Sequence, residues 1–152
     1  MRGIEFRGKH TDSGLWVYGY VVETSTYGVP GHKTVVGIYE KPKKDFDRDW
    51  WKVDPDTVGQ YTGLKDKNGT KIFEDDIVKC VDANNGGSFT AIVSFGNPNC
   101  EYNWGFQLVK MDGDHLNTDI LSWVDMEKAG AYIEVISNIY DYAKIIGENN
   151  NG

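Results

Sequence analysis

Thr57-Val58-Gly59-Gln60-Tyr61-Thr62-Gly63-Leu64-Lys65-Asp66-Lys67-Asn68-Gly69-Thr70-Lys71-Ile72-Phe73, continuing through Glu74-Asp75-Asp76 into Ile77-Val78-Lys79-Cys80-Val81, contains the reading that decides the fold. Short runs rich in β-branched and aromatic residues are broken by glycine, asparagine and aspartate, and no helical period runs through them. Asn68-Gly69 tolerates positive φ at both positions, as a type I′ hairpin turn requires, so Thr70–Phe73 is expected to return antiparallel to Thr57–Leu64. Asp76, placed before Ile77, is expected to accept turn amides through its carboxylate. Alternation puts Gln60 and Thr62 on one strand face and Tyr61 on the other.

The same grammar extends in both directions. Ile4–Arg7 and Leu15–Glu23 flank the polar stretch Gly8–Gly14 and predict a hairpin, and Thr34–Tyr39 predicts another strand. Glu40–Asp49 is densely charged and reads as a mobile loop. Trp50–Val53 re-enters ordered structure and stops at Asp54-Pro55. Ala91–Phe95, Trp104–Val109, Leu121–Val124 and Tyr132–Ile136 are further strand candidates, Ile139–Ile146 a closing helical turn or two, and residues 148–152 a frayed tail. About nine short strands with turn signals between them predict an all-β fold, a small barrel or sandwich, in one domain over residues 1–152.

The 152 residues carry a net charge of −7, spread unevenly: +2 over residues 1–53 and −9 over residues 54–152. Duplex binding rests on neutralising phosphates, which makes nucleic acid an unfavoured partner. The basic run Lys41-Pro42-Lys43-Lys44 is followed by Asp45, Asp47 and Asp49 and reads as a solvated loop. Met1–Arg7 has no apolar run of a secretory leader, and no stretch approaches the roughly 18 apolar residues of a membrane span. The expectation is a soluble, cytoplasmic chain without a membrane partner. Cys80 and Cys100 match no zinc or redox spacing and read as buried free thiols.

Chemistry-bearing motifs are missing from the sequence. His10, His32 and His115 fall in separate loop-like regions, and neither a His-Glu-x-x-His, a Walker A, a GxSxG nor a strand-following GxGxxG occurs. No cofactor, metal or catalytic residue is therefore expected. Asp112-Gly113-Asp114 with Asp119, and Glu74-Asp75-Asp76, could hold a cation weakly, but a solvated turn is the favoured reading of each. A small hydrolase with an acidic site, the least favoured function, would have to join at least two of Asp76, Asp112, Asp114 and Asp119 in one cleft.

Aromatic residues offer another lead. Adjacent Trp50 and Trp51 must point to opposite faces of a strand, so one of them is a candidate partner surface or packs under the Glu40–Asp49 loop. Trp104 shares a strand face with Phe106, as Trp16 does with Tyr18. Core packing is the default for these pairs, and a stacking platform for bases the alternative, with only Lys110 near Trp104 in sequence. Trp50, Trp51 and Trp104 are the candidate partner-surface residues.

Three blocks of the chain resemble the YopX-like family of phage and prophage proteins: Arg2–Lys9 with Gly14–Gly19, Asp54–Lys79, and Glu134–Tyr140. They cover about half of the chain, in the family's order. Where that family usually has Glu-Gly-Asp this sequence has Glu74-Asp75-Asp76, and aspartate tolerates the left-handed conformation better than most residues. Where it has Ile-Gly-Asn-Ile this sequence has Ile136-Ser137-Asn138-Ile139. The resemblance implies an all-β fold around a small barrel, encoded in a phage or prophage, and no known biochemical activity. The strand–turn–strand order leading into Asp76-Ile77-Val78-Lys79 is similar to the opening of SH3-like barrels. Gln60, Tyr61, Thr62, Gly63, Asp66, Asn68, Gly69 and Asp76 are the family-motif positions, read as structural. The function expected is a non-enzymatic interaction module that binds a protein partner and itself, with a single-stranded nucleic-acid accessory factor as the alternative.

Overall fold

The computed structural model describes residues 4–25, 34–40, 50–96, 104–112, 117–124 and 130–150. The fold is all-β; among the described residues it has antiparallel sheets, two α-helices and one 3-10 turn, and it divides into two compact units at Tyr61/Thr62.

In the first unit, β1 (Phe6–Lys9) and β2 (Trp16–Ser25) form the expected hairpin, with Phe6 opposite Gly19 and Lys9 opposite Trp16. β3 (Thr34–Tyr39) pairs with β2, and β4 (Trp50–Lys52) pairs with β3. Asp54 caps the 3-10 turn Pro55–Thr57 by accepting the Asp56 N–H at 3.0 Å, with proline in the first turn, where its missing N–H costs nothing. The chain then enters β5 (Gly59–Lys65), whose first residues pair with β1.

The first unit's sheet curls. A bridge joins His10 to Val53, supported by Thr11 N–H on the Lys52 carbonyl (3.0 Å) and Asp54 N–H on the Lys9 carbonyl (2.9 Å). Val17, Ile38 and Val53 fill the inner side, with Val21, Val36 and Val58 against them. Three buried aliphatic side chains of this kind contribute roughly 1.5–3 kcal/mol each, enough to set which face of β2 turns inward.

In the second unit, β5 leads through a tight turn to β6 (Lys71–Phe73), and then come β7 (Asp76–Asp82), β8 (Gly87–Gly96), β9 (Gly105–Lys110), β10 (Asn117–Asp119), α1 (Ile120–Val124), β11 (Ala131–Asn138) and α2 (Ile139–Asn150). Strands β7 to β11 form one sheet in the order β10-β9-β8-β7-β11. Alternate residues supply its core: Val78 and Cys80 from β7, Ala91 and Val93 from β8, Leu108 from β9, closed by Ile72, Ile120 and Ile133. Lys79, between two core residues, is exposed, the period-two signature of a half-buried strand. Among the described residues the sheet is open, with β10 and β11 as its edges, so the expected barrel does not close here.

Three expectations are corrected. Asn68-Gly69 is not a type I′ turn: only Gly69 has positive φ (81°), and Gly69 N–H reaches the Asp66 carbonyl at 3.0 Å while Asp66 N–H reaches the Thr70 carbonyl at 2.8 Å. That is a three-residue hairpin loop, a type I turn closed by a left-handed glycine. Leu121–Val124 is not a strand but lies in α1. Asp119 Oδ1 accepts the Leu121 N–H at 2.9 Å, and this cap starts a helix where the apolar run by itself was ambiguous. The short helical turn at the end is the 12-residue helix α2, which continues to Asn150. Residues 41–49 of the charged loop, His32, Cys100, Asp114, His115 and the last two residues of the tail lie outside the described residues.

Candidate functional site

The motif aspartates hold turns together. Asp66, buried, accepts three backbone N–H groups: Asn68 (2.8 Å) and Thr70 (2.9 Å) on Oδ1, Val135 (3.0 Å) on Oδ2. Asp76, 1% exposed, accepts the Phe73 N–H at 2.8 Å. Thr62 is buried, and its hydroxyl donates to the Ile72 carbonyl (2.8 Å) and accepts the Leu64 N–H (3.2 Å). Gly63 has φ 84°, while Gln60 and Tyr61 are half-buried in β5, with Tyr61 N–H on the Glu5 carbonyl at 2.7 Å. Asn68 is exposed at the turn tip.

Asp75 is the one non-glycine residue with positive φ (67°) among the described residues. Its backbone N–H donates to the Val93 carbonyl (2.8 Å), its carbonyl accepts the Ile139 N–H (3.0 Å), and its carboxylate accepts the Tyr140 hydroxyl (3.0 Å). Lys67 in the neighbouring turn pairs with Glu134 at 2.9 Å and lies 4.2 Å from the Tyr132 ring centre. The hydrogen bond to Glu134 is the main reason its pKa stands above the ordinary lysine value. Burial pushes the Cys80 thiol up to about 12, which makes it an inert core group. Among the described residues no three His, Cys, Asp or Glu side chains gather as metal ligands. Asp119 is engaged in capping α1.

Exposed aromatic side chains lie elsewhere. The inner side of β2 carries Val17 and Val21, so Trp16, Tyr18 and Tyr20 stand on the outer side. Register adds Tyr39 opposite Tyr20, Trp50 opposite Tyr39, Arg7 opposite Tyr18, Lys9 opposite Trp16 and Lys52 opposite Gly37. Arg7 lies 4.5 Å and Lys9 5.2 Å from the Trp16 ring centre. Tyr18, Tyr20 and Trp50 are 44%, 48% and 41% exposed. The Trp50 ring rests on Gly37, where a β-carbon would meet ring carbon Cε3 at 2.2 Å. Trp51, on the opposite side of β4, makes an edge contact with His10 at 5.2 Å. A cavity of about 380 Å³ borders this sheet, lined among others by Lys9, His10, Thr11, Lys52, Asp54 and Thr57.

Two groups of exposed apolar side chains stand out among the described residues of the second unit. Trp104, 75% exposed, touches Phe95 edge-on at 6.4 Å, and Phe95 touches Phe106 at 5.0 Å. On α2, Tyr142, Ile145 and Ile146 are all exposed. Their i, i+3, i+4 spacing puts them on one helix face. Sequence reading singled out Trp50, Trp51 and Trp104 but missed Tyr20, Tyr39 and the lysines beside them. The signal for Tyr20 was the alternating row Trp16-x-Tyr18-x-Tyr20, read only as far as its first pair.

A family model described as YopX protein matches residues 5–146. No curated protein matches the chain.

Proposed function

The chain belongs to the YopX family, and from that premise we propose a non-enzymatic interaction module, encoded by a phage or prophage and working in the bacterial cytoplasm, that binds protein and first of all a second copy of itself. The observation that carries this reading is α2. Residues 142–149 are all exposed, so its last two turns stand clear of the sheet, with Tyr142, Ile145 and Ile146 forming a bare apolar stripe. A helix of about 12 residues is marginal in water without packing on its apolar face. A second copy brings an identical stripe, which a two-fold axis makes self-complementary. The SH3-like reading of the β5–β7 segment belongs to the same proposal, with strand edges and loops as the surfaces offered to further proteins.

Light scattering on the full chain tests it. The wild type is expected to elute as a dimer, and Ile145→Glu/Ile146→Glu as a folded monomer with unchanged strand signal in circular dichroism. A wild type that stays monomeric at the highest soluble concentration overturns the proposal.

A further inference from the structure

The outer face of the first unit's sheet alternates rings with cations. Lys9 stands opposite Trp16 with its ammonium 5.2 Å from the ring centre, and Lys52 stands opposite Gly37, the residue on which the Trp50 ring lies. Trp16, Tyr18 and Tyr20 rise along β2 at two-residue steps, which a strand spaces at about 6.7 Å. That is twice the roughly 3.4 Å rise of stacked bases in a duplex, so the row fits an extended single strand with its bases splayed apart. The cavity of about 380 Å³ shares Lys9 and Lys52 with this face and adds His10 and Thr11, with Asp54 the one carboxylate in its lining among the described residues.

We propose that this face binds single-stranded nucleic acid, the bases stacking on Trp16, Tyr18, Tyr20 and Trp50 and the phosphates lying along Lys9 and Lys52. Arg7, 6% exposed and packed on Trp16, holds that ring in place and does not reach the backbone of the ligand. The net charge of −7, concentrated in the other half of the sequence, selects against duplex, whose dense phosphates need a larger basic surface. It also makes the interaction short-reaching and strongly salt-dependent. An acidic peptide would satisfy the lysines but leave the row of rings without flat partners.

Fluorescence anisotropy of a labelled oligothymidylate with the full chain, at low salt of about 50 mM, tests the proposal. Binding is expected, with Tyr18→Ala and Tyr20→Ala each weakening it about tenfold. Tyr18→Phe, which keeps the ring, is expected to bind like the wild type. Lys52→Gln is expected to lower the slope of log affinity against log salt by about 0.7. Trp104→Ala, in the other unit, is expected to change nothing. No binding at low salt, equal binding of duplex, or displacement of the oligomer by polyglutamate together with indifference to Tyr18→Ala and Tyr20→Ala, would each overturn it.

Discussion

Asp66 Oδ2 accepts the backbone N–H of Val135 at 3.0 Å, tying the β5–β6 turn to β11 across 69 residues of chain. The other oxygen of the same carboxylate holds the Asn68 and Thr70 amides, so one buried side chain fixes a turn and docks it. Removing it leaves three N–H groups short of an acceptor, and a buried unsatisfied donor costs about 1–3 kcal/mol. Asp66→Ala is therefore expected to destabilise by about 3 kcal/mol, some of the amides finding water. Asn68→Ala at the exposed tip should cost under about 0.5 kcal/mol. Urea unfolding midpoints of the two variants decide the matter, and equal midpoints would refute the role given to Asp66.

Asp75 stands at φ 67°, where a non-glycine residue is strained by roughly 1 kcal/mol, and its carboxylate accepts the Tyr140 hydroxyl. Asp75→Gly relieves the first and forfeits the second, so a net change within about 0.5 kcal/mol is expected. Asp75→Val loses the bond and worsens the strain, and is expected to cost at least about 2 kcal/mol. Tyr140→Phe in the wild type should cost about 1 kcal/mol, and less than that once Asp75 is glycine. Thermal and urea melts of this cycle read out the coupling directly.

What the sequence disclosed and what it hid divide along one physical line. Aspartate–amide bonds inside a turn are local, so the roles of Asp66 and Asp76 toward neighbouring amides could be anticipated from residue order, as could the tolerance of Asp75 for positive φ. The bond from Asp66 to Val135 is made by strands far apart in sequence, and no local pattern encodes it. Leu121–Val124 misled because four apolar residues suit a strand or a helix equally, and the cap at Asp119 decided between them. The row Trp16, Tyr18, Tyr20 was written plainly in β2. That it faces outward depended on Val17, Ile38 and Val53 gathering on the other side of the sheet, and that Lys9 and Lys52 join it depended on register. Pairing geometry brought the cations and rings together, and pairing register is what composition cannot supply.

Gly37 and Trp50 offer a test of the outer face that is independent of any ligand. A β-carbon at Gly37 would sit 2.2 Å from Trp50 Cε3, so Gly37→Ala must push the indole off the sheet. The expected outcome is a red shift of the Trp emission with about 1–3 kcal/mol of destabilisation. Trp50→Ala in the Gly37→Ala background should recover part of that loss, because the clash disappears with the ring. Additive costs in the double variant would show that the ring does not lie where the structure places it.

Cys80 provides the pH test. In the folded chain burial holds the thiol protonated up to about 12, whereas in the unfolded chain it ionises near its ordinary 9.0. A group whose folded pKa is raised favours the fold fully below the unfolded value and loses that contribution as pH rises toward the folded one. In a Cys100→Ser background, which leaves Cys80 as the single thiol, stability should fall between about pH 9 and 12 by up to about 1.4 kcal/mol per pH unit from this group. Cys80→Ala is expected to lose stability at neutral pH through the vacated core volume while showing a shallower decline in that alkaline window. A thiol reagent at pH 8 should label Cys80 only at the rate of unfolding. Fast labelling of the folded protein, or identical alkaline slopes with and without the cysteine, would mean that the β7 core admits water.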